Sequence, residues 1–216
     1  MIYYREAEKG GKARLLPMSY LVLVIGIVVF FIAAPAGAGG MVEVRSIYEK
    51  ASKQRGRSVS EALDAVKMFL QNNPDDVAAT MYQGSLYTML AGDSFFPWKK
   101  IYYLRKGVDL MDSAMERLAY AKSHGRDPEL EILLIGAITN ARIPRVFNRA
   151  GLARRDLARI LEHPGFSGLP KEVRAEVLAW IARYAREDGE RVRAEGAMAK
   201  ARKLDATVAE AVWSEK

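Results

Sequence analysis

Residues 73–128 read NPDDVAATMYQGSLYTMLAG (73–92), DSFFPWKKIYY (93–103) and LRKGVDLMDSAMERLAYAKSHGRDP (104–128). In the first part Ala78, Tyr82, Leu86, Met89 and Leu90 recur at helical spacing, which lays them along one face. From the middle part onward Ile101, Leu104, Val108, Met111, Met115 and Leu118 step by three and four, a second apolar seam. An aromatic and basic turn separates the two. Amphipathic helices on a short connection bury their seams against each other and against neighbours. The spacing predicts an all-α chain built from helix pairs.

Similar punctuation recurs on both sides. Val44, Ile47, Tyr48 and Ala51 share one side of a helix that Arg55-Gly56-Arg57 breaks. Ser58-Val59-Ser60-Glu61 has the form of a capping box, in which serine and glutamate satisfy amides at a helix start. Ala62, Leu63, Val66, Phe69 and Leu70 follow as its apolar face, and Asn73-Pro74 ends it. Asp127-Pro128 opens the next helix, with aspartate as N-cap and proline first. Val146, Ala150, Ala153, Leu157, Ile160 and Leu161 mark another, Leu169-Pro170 a further one, and Leu204-Asp205 the last. No stretch alternates as a strand does.

Gly84, Tyr87, Ala114, Leu118, Ala121 and Pro128 fall in the order of the tetratricopeptide repeat motif, which this stretch resembles. That family places a small residue and an aromatic on a first helix, a small residue on a second, and a proline before the next repeat. The resemblance covers residues 58–128 well and 129–216 loosely, and it departs from the family by an insertion around Phe95. It implies a degenerate α-solenoid over residues 58–216 whose concave side binds proteins. The whole layout is also similar to membrane-anchored bacterial repeat proteins. That similarity implies an accessory or scaffold role in a membrane complex, such as an ABC transporter or envelope assembly.

The 216 residues are half apolar, enough for one domain of ordinary size. Net charge is +7, and beyond residue 38 it is +5, from 29 Lys and Arg against 24 Asp and Glu. This is a mild excess, short of a nucleic-acid footprint. The absence of cysteine excludes disulfides, thiol catalysis, zinc-cysteine sites and lipoprotein acylation.

Residues 1–14 form a polar, basic tail, and residues 15–42 carry no charge. The 24 residues 15–38 suffice for a bilayer-spanning helix, which needs about 20. They are read as an anchor or uncleaved signal, with cleavage after the small residues Ala34–Ala38 as the alternative. Arg45, Lys50, Lys53 and Arg55 follow the span closely, so the positive-inside count does not orient it. The order of basic start, apolar core and small residues expects the chain to cross a bacterial inner membrane once. Residues 39–57 then act as linker and first helix, and the helical domain faces the periplasm. A cleaved signal would instead give a soluble periplasmic binding protein, and a third expectation is a purely structural subunit.

No nucleophile elbow, phosphate loop, dinucleotide fingerprint or metal spacing is present, and no cofactor or enzymatic reaction is expected. His124 and His163 read as solvated turn residues. Asp75, Asp76, Asp109, Asp112, Glu129 and Glu131 read as helix-start or exposed-face carboxylates. The candidate partner-binding residues are Tyr82, Tyr87, Phe95, Phe96, Trp98, Tyr102 and Tyr103, because aromatic side chains anchor interfaces. The segment from Phe95 to Tyr103 also reads as core filling between repeats, the reading that aromatic clusters at helical spacing favour, or as a lip in lipid headgroups. Arg142, Arg145, Arg149, Arg154 and Arg155 form a basic stripe that suits an anionic surface. Its first three members share a face only if a helix runs through Pro144. The stripe also reads, without any partner, as a solvated face.

Overall fold

Asp76, Asp127 and Asp205 each stand just before a helix and turn a carboxylate oxygen back onto its first turn. They accept from the backbone N–H of Ala79 (2.8 Å), Leu130 (3.0 Å) and Val208 (2.9 Å). Each bond satisfies one of the amides that a helix start leaves unpaired. The computed structural model describes residues 40–215, and these hold nine α-helices and no strand. They are α1 (Met41–Gln54), α2 (Arg57–Asn72), α3 (Val77–Asp93), α4 (Pro97–Glu116) and α5 (Pro128–Arg142). Then come α6 (Ala150–Glu162), α7 (Lys171–Glu187), α8 (Arg191–Leu204) and α9 (Ala206–Ser214). The expected anchor at 15–38 and the tail before it lie outside the described residues. Among the described residues no helix is long and apolar enough to cross a membrane.

The helices pair in chain order: α1 with α2, α3 with α4, α5 with α6 and α7 with α8. α9 closes the end against α7 and α8, and α1, α3, α5 and α7 also touch in sequence. The odd-numbered helices thus form one layer and the even-numbered helices back it, a helical-repeat-like arrangement. α3 is central and buried almost all round, from Val77 to Ala91. That is why its sequence is apolar on every side, unlike the one-sided α2. One core joins α1 to α4, with Met81, Leu86 and Met111 fully buried. A second joins α5 to α9 around Leu133, Leu157, Ile160 and Trp180. Met115 packs against both.

Several expectations are corrected. Ser58 and Glu61 make no capping box. α2 already starts at Arg57, the Ser58 hydroxyl donates to Gln54 Oε1, and Glu61 pairs with Arg57. The α1–α2 turn is set by a distant group instead. Arg55 and Gly56 both have positive φ, and Asp93 at the end of α3 accepts from the Gly56 N–H and from the Arg55 guanidinium. The extra length around Phe95 is not a loop. Only Ser94–Phe96 connect α3 to α4, and the added residues extend helices of 17 and 20 residues. Val146 does not join α6: Pro144 stops α5, a short 3-10 turn follows, and Val146 is 83 % exposed.

Candidate functional site

Helices α1, α3, α5 and α7 and the first half of α4 face a groove of about 1360 Å³. Leu134, Ile135 and Ile138 of α5 lie along it, with Met89 of α3, Leu104 of α4 and Val173 of α7. All six are apolar. α5 offers this row because its residues i, i+1 and i+4 fall on the side turned away from α6. Charged groups of both signs ring the groove: Arg55, Lys100, Arg126 and Arg142 against Glu49, Glu176 and Glu215. Arg142 holds both of its acids, Glu176 at 2.7 Å and Glu215 at 3.3 Å.

A buried polar network underlies the groove at its α1 end. Arg45 donates from Nε to Glu131 Oε1 (2.5 Å) and from Nη2 to Oε2 (2.7 Å), and its Nη1 reaches the His124 carbonyl oxygen (2.7 Å). The Tyr82 hydroxyl donates to the same carboxylate at 2.6 Å. Arg45 and Glu131 are 5 % and 7 % exposed, so the pair needs this full set of bonds to offset lost hydration. The two Glu131 bonds raise the Arg45 pKa further, against the effect of burial. Burial, and then the Glu131 charge, push the Tyr82 phenol well above the usual tyrosine range. Beside it the Tyr48 ring meets Tyr82 edge-on at 4.6 Å. The Tyr48 hydroxyl shares a hydrogen bond with Ser85, and Ser85 shares one with Thr139, both 2.8 Å long. One polar chain thereby ties α1 to α3 and α5.

This network corrects the sequence reading of two carboxylates and a histidine. Glu131 is neither exposed nor a simple helix-start charge. Asp76 is buried, caps α3 with one oxygen and holds His124 Nε2 at 2.6 Å with the other. His124 is therefore partnered, with its ring also against Phe69. His163 accepts from the Gly165 N–H. Arg45 and Tyr48 escaped the sequence reading as functional residues. The available signal was a lone Arg45 among Val44, Ile47 and Tyr48, and a lone Glu131 inside the run LEILLIGAI.

The candidate aromatic residues divide into two groups. Tyr82 and Tyr87 are buried in α3, and only Tyr82 of the pair lines the groove. Tyr87 stacks on half-buried Tyr103 at 6.1 Å, with Lys106 Nζ 4.6 Å over its ring. Phe95, Phe96, Trp98 and Tyr102 project outward where α4 begins, at the groove's edge beside Lys100 and Ile101.

The arginine stripe is distributed over separate elements and satisfied within the chain. Arg145 pairs with Glu187, and Arg154 with Glu187 and Asp188. Both guanidinium groups lie over the Tyr184 ring, at 4.9 and 4.5 Å. Arg149 grips Asp112 with both Nη atoms and the Asn140 side chain with Nε, tying the start of α6 to α4 and α5. Arg155 pairs with its neighbour Asp156. Arg142, Arg145 and Arg149 share no helical face, because α5 ends at Arg142.

No family model, curated protein or solved structure matches the chain. Among the described residues no three His, Cys, Asp or Glu side chains gather as metal ligands. The groove therefore offers an apolar wall and an ionic rim, and its floor polar groups already bond one another.

Proposed function

We propose that the chain is a tetratricopeptide-like interaction module, acting as an accessory or scaffold subunit of a membrane complex. Its groove receives an amphipathic helix of a partner protein. The observation that carries this reading is the apolar row Leu134, Ile135 and Ile138, open to the groove and flanked by charges of both signs. A helix about 10 Å across would fill about 1360 Å³ in roughly three turns. Apolar residues at i, i+3, i+4 and i+7 would meet the α5 row, and polar residues the rim, as in other helix-in-groove pairings. The pairing of four helix hairpins in chain order supports the repeat reading. The uncharged residues 15–38 support attachment to a bacterial inner membrane, and the basic start before them with the small residues at their end supports the periplasmic side.

The test is co-purification of the full-length tagged chain from gently solubilised membranes of its own host. Wild type is expected to bring down one stoichiometric protein, and Ile135→Glu/Ile138→Glu to lose it while keeping the wild-type helical circular dichroism. Equal recovery with the double variant would overturn the groove as the binding site.

A further inference from the structure

We propose that the start of α4 is a lip that docks on an anionic lipid surface, a contact that adjoins the protein-binding groove at Lys100 and Ile101. Phe95 is 89 % exposed and Trp98 65 % exposed, with Ile101 and Tyr102 also outward. Trp98, Ile101, Tyr102 and Arg105 follow the i, i+3, i+4, i+7 pattern, so they form one stripe along α4. Phe96 stacks on Trp98 at 4.8 Å and meets Phe95 edge-on at 5.6 Å, which makes the tip a raised aromatic cluster rather than a cleft.

Charge selects the occupant. Residues 95–108 contain Lys99, Lys100, Arg105 and Lys106 and no Asp or Glu. The arginines of the downstream stripe each hold a carboxylate. Among the described residues none of these four cations does, and Lys99 and Lys106 lie over aromatic rings instead. Projecting Trp, Tyr and Phe interleaved with unpaired lysines match the headgroup zone of a bilayer, where rings enter the boundary and ammonium groups meet phosphates. The lip lies at the far end of α1 from Gly40, about 20 Å along the helix axis, because Arg55 and the end of α3 meet there.

The experiment reconstitutes the full chain into phosphatidylcholine vesicles with or without phosphatidylglycerol, each also containing acyl-brominated lipid, and reads tryptophan quenching. Trp98→Phe identifies the Trp98 component by difference from buried Trp180 and half-buried Trp213. Quenching of that component is expected with phosphatidylglycerol and to weaken without it. Lys99→Gln/Arg105→Gln, which leaves the groove rim intact, is expected to lower the docked-to-undocked ratio about twenty-five-fold, at about fivefold per cation. Quenching that ignores phosphatidylglycerol and the two cations would overturn the proposal. So would an unquenched Trp98 in a variant pair that loses the co-purified protein, which would assign the lip to the protein partner.

Discussion

Gly84 and Gly107 meet where α3 crosses α4, so closely that neither position has room for a side chain. A Cβ on Gly84 would lie 2.7 Å from the Gly107 carbonyl oxygen, and one on Gly107 would lie 2.6 Å from that of Gly84. Both obstacles are backbone, so relief requires the helices to separate. Gly84→Ala and Gly107→Ala are each expected to destabilise the fold by about 1–3 kcal/mol, the range for overpacking a filled core. Urea unfolding followed by circular dichroism measures this. Full stability in either variant would mean that the crossing is looser than this contact.

The Arg45–Glu131 pair joins the first hairpin to the third. Glu131→Gln leaves a buried guanidinium without its counter-charge and is expected to cost about 3–5 kcal/mol. Arg45→Met/Glu131→Leu removes both charges and is expected to recover part of that loss. A double-mutant cycle reads the coupling, and additive single effects would show that the pair is not coupled.

Alkali is expected to destabilise the fold through its buried tyrosines. Burial raises the pKa of Tyr82, Tyr48 and Tyr184. Above the ordinary tyrosine value of about 10 the unfolded chain ionises and the folded phenols do not follow. Their contribution is thus intact below about pH 10 and lost as pH rises beyond it. Tyr82→Phe is expected to reduce the slope of stability against pH there by up to about 1.4 kcal/mol per unit. An unchanged slope in denaturant titrations would show that Tyr82 ionises as readily folded as unfolded.

The paired arginines and the lip lysines should separate in a stability assay. Arg149→Ala breaks the two-pronged contact with Asp112 and the bond to Asn140, at an expected cost of about 1–2 kcal/mol. Lys99→Gln/Lys100→Gln touches no ion pair and is expected to stay within about 0.5 kcal/mol of wild type. Thermal unfolding compares them directly. Equal losses would place the lysines among the groups that hold the fold.

Much of the helix plan was legible because local rules govern it. Asp127-Pro128 announces a helix start, and Pro144 forbids the continuation that would have aligned Arg142 with Arg149. Other features depend on partners distant in sequence. Ser58 and Glu61 spell a capping box, yet Asp93, from the next hairpin, sets that turn. Gly107 sits beside Val108 in an apolar seam, and nothing local shows that it faces Gly84. Arg45 and Glu131 look like ordinary surface charges until they are placed 86 residues apart in one buried pair. The arginine stripe looked like a free basic face, because its carboxylates lie mostly on α4 and α7.

The most direct test of the groove reading is site-specific photo-crosslinking of the full-length chain in its own host. A photoreactive residue replaces Ile138 in the groove or Val192, which is exposed on α8. The account predicts one discrete protein adduct from Ile138 and none from Val192. No adduct at Ile138, or the same adducts from both positions, would contradict a partner helix seated in the groove.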